Sequence, residues 1–362
     1  MTATCSKVGR TWILALVTCA GASLAAVCAF TLVVGTIFWS LDGVQPTHFV
    51  SVLQSIPVGD EIDRVVATLY WTFDHAGTSG CRQHLAVHSL DSLADARLVV
   101  AADCNPHSIT AGPARNQILV GTWEGEIQLI DFSGGEAGPQ TIGRQTDGAV
   151  SALSLSEDRQ VIVSQGPYAL HAWRLGDGTR LWSRHDLGAY CHVQLPGSRT
   201  AIVATLDNHL FEIDLATGET LRTLAHYHSP VLGTALSPDG GKLAVLRSDS
   251  KLMMLDSRSG TQLWERQIRR NDRTAPGRMA AFSPCGTMLV TSGSLECTSL
   301  SVWNAETGQL VSELHGHEKV VQGASFVTSN ELRSWAADGT VRVWNVGTGV
   351  VQQVNQILPP NA

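Results

Sequence analysis

The sequence predicts an all-β fold: a seven-bladed β-propeller of four-stranded antiparallel blades, preceded by one transmembrane α-helix. Three observations predict it. A characteristic strand ending recurs at intervals of about 40 to 48 residues, the period of propeller blades. Small-residue turns divide each interval into runs of strand length, and the run from Thr11 to Leu41 carries no charge at all.

The N-terminal element follows from hydropathy. Residues 11–41 read TWILALVTCAGASLAAVCAFTLVVGTIFWSL, and about 20 apolar residues already span a bilayer as a helix. Lys7 and Arg10 precede the run, whereas Asp42, Asp60 and Glu61 follow it before the next cation, Arg64. The positive-inside rule places the N-terminus in the cytoplasm and the remainder on the exoplasmic side, periplasmic or extracellular. The small residues of CAGASLAA also fit a cleaved signal peptide, which would leave a secreted chain, but the apolar run outlasts an ordinary signal core of about 7 to 15 residues. The expected organisation is a short cytoplasmic N-terminus (1–10), a signal-anchor helix (11–41), a linker (42–45), the propeller (46–356) and a C-terminal tail (357–362).

The blades are read most clearly from the far end. In AADGTVRVWN, Ala336 to Asn345, the Asp338-Gly339 pair tolerates the positive φ of a tight turn, and Thr340 to Trp344 alternates β-branched or aromatic residues with polar ones. The same ending returns in GEIQLIDF, LHAWRL, LFEIDLATG, LMMLDSRSG and LSVWNAETG, which puts Ile130, Trp173, Ile213, Leu255, Trp303 and Trp344 in equivalent places. Before the ending lies a turn between two apolar runs, as in LSPDG from Leu236 and FSPCG from Phe282. After it a fourth run follows a Thr-Gly turn, as in ETGQLVSELHGH from Glu306. One earlier segment, HFVSVLQS with DRVVATLYW, RQHLAVHSL and ARLVVAA, supplies a unit without the turn motifs. The seven expected units are 46–104, 105–147, 148–188, 189–229, 230–276, 277–318 and 319–356. A single sheet of this size cannot bury both faces, whereas several packed around an axis can, leaving only short outer edges.

The last unit resembles a WD repeat. HGH at 315–317 supplies the Gly-His pair, and LRSWAADGTVRVWN follows the repeat pattern position by position. The resemblance implies that His317, Ser334, Asp338 and Trp344 form a hydrogen-bonded set tying the blade together. Other units depart from the pattern: one has Trp303 with Glu296 near the Asp position, another has Asp207 without the Trp, and HYH at 226–228 is one residue out of register with HGH. LGDGTRLWSR and SRSGTQLWER resemble the turns of quinone-cofactor propellers and their cofactor-free relatives, which implies that Trp182 and Trp264 pack between blades. The adjacent cysteine pair and acidic cluster that a quinone and calcium would need are missing from the sequence, so no cofactor is expected.

Composition agrees with a compact, turn-rich β protein: 44% hydrophobic residues, 34 glycines and 16% charged residues. The net charge of −7 has no basic block behind it, so nucleic acid is not an expected partner. Five cysteines fall in the propeller. Cys285 and Cys297 occupy turns at opposite ends of a blade, too far apart for a bridge, whereas Cys81 and Cys104 can meet across adjacent strands or remain separate thiols. With no CxxC, zinc clusters have no support. His226 with His228, and His315 with His317, have a metal-like spacing, as do His84 and His88 along one strand, but the repeat pattern already accounts for a junction histidine and no metal is expected. Motifs for a nucleophile elbow, a zinc hydrolase or a phosphate loop are missing too, so no catalytic residue is nominated.

What remains is surface. The turns between second and third strands, with the junctions between units, gather at one rim, where a rigid scaffold usually carries recognition. That rim is expected to display Trp123, Tyr168, Asp207, Arg247, Asp249 and Glu296; Trp, Tyr and Arg dominate binding hot spots. The expected function is a membrane-tethered, non-catalytic platform for protein partners, the alternative being a quinoprotein-like enzyme or ligand binder using the central channel.

Overall fold

The computed structural model describes the backbone of 49–57, 64–73, 81–89 and 92–100, and most of 106–356; side chains are described within 107–355. The gaps are 115, 132–137, 188–191, 196, 198, 206, 269–278 and 293–297, with the side chains of His192 and Gln194 also set aside.

Every described element is a strand, and each sheet consists of four consecutive ones. The first contains β1 (Phe49–Pro57), β2 (Arg64–Phe73), β3 (Cys81–Ser89) and β4 (Ser92–Val100). Next come β5 (Pro106–Ala111), β6 (Gln117–Thr122), β7 (Glu126–Asp131) and β8 (Gln140–Arg144), then β9 (Ala152–Leu155), β10 (Val161–Gln165), β11 (Leu170–Arg174) and β12 (Arg180–Arg184). They are followed by β13 (His192–Gln194), β14 (Thr200–Ala204), β15 (His209–Asp214) and β16 (Thr220–His226), and by β17 (Val231–Leu236), β18 (Lys242–Arg247), β19 (Lys251–Asp256) and β20 (Gln262–Gln267). The last two sheets are β21 (Ala280–Phe282), β22 (Met288–Ser292), β23 (Ser299–Asn304) and β24 (Leu310–His315), and β25 (Val321–Phe326), β26 (Glu331–Ala336), β27 (Thr340–Asn345) and β28 (Val351–Gln356).

From β5 onward, the strand period of two decides the packing, because successive side chains point to opposite faces of each sheet. On β18, Leu243 and Val245 pack against Ile202 and Leu210 of the preceding sheet, while Ala244 and Leu246 pack against Leu289 and Trp303 of the following one. β14 divides in the same way, Ala201 and Val203 facing Leu170 and Trp182, and Ile202 facing Leu243. Leu119 and Ile127 meet Ile162 and Trp173, and Val290 and Val302 meet Leu332 and Trp344. Burial on both faces explains why the second strands read as unbroken apolar runs such as QILVGT and KLAVLR. Each fully buried Leu or Ile contributes about 1.5–3 kcal/mol.

Five such interfaces join six blades, and the expected seven-bladed ring is corrected to these six. The preceding sheet differs from them: its strands are nine or ten residues long, against three to seven in the blades, and its sequence lacks their turn motifs. It is described through its backbone alone, β1 running beside β5 and β25. The helix placed at 11–41 lies outside the described residues, as do the residues 1–10, 42–45 and 357–362. Among the described residues there is no helix long and apolar enough to cross a membrane.

Candidate functional site

The turns between second and third strands meet the junctions between blades. The turn after β6 abuts the next junction at Gly125, where the carbonyl oxygens of Gln145 and Gly148 leave no room for a Cβ, and Gly148 in turn abuts Pro167 in the turn after β10. Trp123 and Tyr168 therefore stand on adjoining loops. Trp123 is 42% exposed, its ring tilted on His107 with centroids 4.1 Å apart, and Tyr168 is 69% exposed. Asp207, in the turn after β14, is exposed, accepts a hydrogen bond from Thr205 Oγ1 and lies 3.1 Å from His209 Nδ1.

Arg247 departs from the expected rim. It is only 9% exposed and turns inward at the end of β18. Its Nε donates to Ser229 Oγ at 2.9 Å, Nη1 approaches Met253 Sδ at 3.3 Å, and Nη2 donates to Asp249, while the guanidinium lies 5.1 Å from the centre of the Tyr227 ring. Burial pushes the Tyr227 hydroxyl up to about 12. Arg247 is thus part of the junction's interior while its partner Asp249 stays exposed, leaving Trp123, Tyr168, Asp207 and Asp249 as the exposed rim; Glu296 lies outside the described residues.

The last blade brings His317, Ser334, Asp338 and Trp344 together. His317 Nε2 lies 2.7 Å from Ser334 Oγ, to which Trp344 Nε1 donates at 2.7 Å, and His317 Nδ1 lies 2.9 Å from Asp338 Oδ2. Asp338 also accepts from the Glu318 and Thr340 backbone amides at 3.0 and 2.9 Å. Burial pushes the His317 imidazole below its ordinary range despite Asp338. These hydrogen bonds link the junction before the blade to its second and third strands, so the set holds a blade together.

Two further tryptophan–hydroxyl pairs escaped the sequence reading. Trp173 Nε1 donates to Ser164 Oγ at 2.8 Å, and Trp303 Nε1 to Thr291 Oγ1 at 2.9 Å. In all three blades the hydroxyl stands two residues beyond the residue opposite the Trp, which is Ile162, Leu289 or Leu332. That offset is the signal that could have found them. Beside Trp173, Gln145 replaces the histidine, its Oε1 accepting from Ser164 at 3.0 Å.

The two Leu-Trp turns act between blades. Trp182 Nε1 donates to the Leu215 carbonyl at 2.8 Å and Trp264 Nε1 to that of Ala305 at 3.0 Å, each in the next blade. Two residues on, Arg184 donates to the Gly218 carbonyl, and Arg266 to those of Gly308 and Thr307 at 3.0 and 2.7 Å. Of the propeller cysteines, only Cys285 is described with its side chain, as a free exposed thiol; the Cys81, Cys104, Cys191 and Cys297 side chains lie outside the described residues.

Blades buried on both faces, with a strand-three tryptophan bonded to a strand-two hydroxyl in three of them and a junction histidine completing the set in the last, define a WD-repeat-type β-propeller. The family model described as "Outer membrane protein assembly factor BamB", a PQQ-repeat model, matches residues 123–352, and the chain belongs to that family. Among curated proteins it is similar to Telomerase protein component 1 of Mus musculus, 26% identical over 66% of this chain and 9% of that protein. It is similar also to WD repeat-containing protein 3 of Mus musculus, 25% identical over 53% of this chain and 22% of that protein. Periodic tryptophan protein 2 of Saccharomyces cerevisiae is 38% identical over 24% of this chain and 10% of that protein. The chain thus spans less than a quarter of each of these relatives, and the likeness is one of the propeller.

Proposed function

We propose that this propeller is a non-catalytic platform for protein partners, held at a membrane by the apolar segment 11–41 with its blades on the exoplasmic side. The observation that carries the platform reading is that Trp123 and Tyr168 are both exposed, on the corresponding turns of successive blades whose sheets are packed on both faces. Large aromatic rings held on rigid turns give contact area at little entropic cost, which is why Trp and Tyr recur at binding hot spots. The WD-type relatives support an interaction scaffold, and the family match gives weight to a second reading, a ligand-binding or quinone-type propeller.

Proximity labelling around the full-length chain in its own membrane tests the platform. The W123A/Y168A double variant should lose a defined set of labelled proteins while keeping the parent's unfolding midpoint. An unchanged set would remove these aromatics from the interface. The tether is tested separately: the chain should resist alkaline carbonate washing, and protease should reach the propeller from the exoplasmic side. Release into the wash would favour a cleaved segment, and digestion only from the cytoplasmic side would reverse the orientation.

A further inference from the structure

The chain has two His-x-His pairs at blade junctions, and a one-residue shift gives them opposite fates. In the last blade, His317 stands four residues before Val321 and points inward to Asp338 and Ser334, both ring nitrogens engaged. Val231 plays the part of Val321 in its own blade, pairing with the end of the second strand, and four residues before it stands Tyr227. Tyr227 therefore takes the inward place and is 7% exposed, so its neighbours His226 and His228 are turned out to solvent.

They have company there. His226 lies directly opposite His209 across β15 and β16, so both project from the same face. Their rings stack with centroids 4.2 Å apart, and the His228 ring is 6.5 Å from that of His226. Asp207 Oδ2 is 3.1 Å from His209 Nδ1 but off the line of a hydrogen bond, which leaves that buried nitrogen without a partner. Among the described residues no hydrogen bond fixes the His226 or His228 ring, and as the rings stand no three donors converge on one point.

We propose that His209, His226 and His228, with Asp207 as a fourth ligand, form a binding site for a late first-row divalent cation, zinc foremost. Imidazole suits zinc, copper and nickel. Three imidazoles around a tetrahedral ion at Zn–N distances of about 2.0–2.1 Å set neighbouring ring centres roughly 5 Å apart. The present separations of 4.2 and 6.5 Å bracket that value, so the site closes by turning the exposed His226, His228 and Asp207 side chains toward the half-buried His209. Each imidazole binds in its neutral form, and the Asp207 carboxylate supplies a negative charge to the ion.

Isothermal titration of the full-length chain in detergent with zinc chloride tests the site. One equivalent should bind, and binding should weaken about tenfold or more in H226Q and in H228Q, since even loss of an outer-shell partner costs a metal site that much. His315, 61% exposed and outside the cluster, gives the control H315Q, which should bind as the parent does. Zinc should also raise the unfolding midpoint of the parent and of H315Q alone. Absence of zinc binding by the parent overturns the proposal, as does parental affinity in either H226Q or H228Q; H209Q, read in the same titration, must weaken binding too.

Discussion

Ser334 and Trp344 are joined by a hydrogen bond of 2.7 Å from the indole to a hydroxyl with no solvent exposure, and the same hydroxyl faces His317. Behind His317 stands Asp338, whose side chain is 6% exposed and whose oxygens also take the amides of Glu318 and Thr340. A single blade is thereby closed by one relay running from its third strand, through the second, to the junction before it.

Asp338→Ala should therefore cost much more than Asp207→Ala. Removing Asp338 strands the buried His317 imidazole, at about 1 to 3 kcal/mol for a buried group left unpaired, and also releases the Glu318 and Thr340 amides. The Asp207 side chain is 67% exposed and holds one threonine hydroxyl and the edge of His209, so its loss should stay within about 0.5 kcal/mol. Thermal unfolding of the two variants decides it, and equal midpoints would show that the relay does not bear on stability.

Acid should weaken the fold through its buried histidines. Burial lowers the pKa of His317 and of His171 below 6.5, outweighing Asp338 and Asp147 beside them. The unfolded chain, with its histidines near 6.5, then binds more protons than the folded one in the window below that value. Their contribution is fully present above pH 6.5 and is lost as pH falls toward the folded pKa values. The pKa of Asp338 is lowered as well: burial alone would raise it, but hydrogen bonds from Thr340 and His317 outweigh that, which adds a loss at still lower pH. Calorimetry across this range should show the midpoint descending from neutral pH; a flat profile would mean that these histidines accept protons without disturbing their partners.

Much of this was legible in the sequence where the repeat is complete. Asp338-Gly339 marks a turn, Trp344 ends the strand, and the spacing to His317 brings the remaining partner into reach. Legibility fails where one residue substitutes for another in the same place. Tyr227 occupies the position of His317, and it draws Arg247 inward by ring contact, so an arginine expected at the rim belongs to the interior. Gln145 does the histidine's work beside Ser164 with no histidine to announce it. The sheet before β5 reads in the sequence as a seventh unit of four strand-length runs without the turn motifs, but a count of runs does not fix strand length, and its strands outrun those of the six blades. Trp123 and Tyr168 were the simplest to place, since each lies in the short turn between a second and a third strand.

The docking of one blade on the next gives the last prediction. Gly308 has φ +67° and its absent Cβ would fall 2.8 Å from the Trp264 ring, whereas Gly339 has φ +76° with nothing within 4 Å of that point. Alanine at either position enters the left-handed region, at roughly 1 to 2 kcal/mol. Only at Gly308 must it also displace the indole that donates to the Ala305 carbonyl and packs among Leu252, Met254 and Leu289. G308A should lower the unfolding midpoint distinctly more than G339A does. W264F separates the two contributions: keeping a ring but losing the N–H, it should cost about 0.5–1.5 kcal/mol. If G308A and G339A unfold together, the Trp264 ring has room to shift, and contact with the turn of the next blade does not set how firmly the two blades hold.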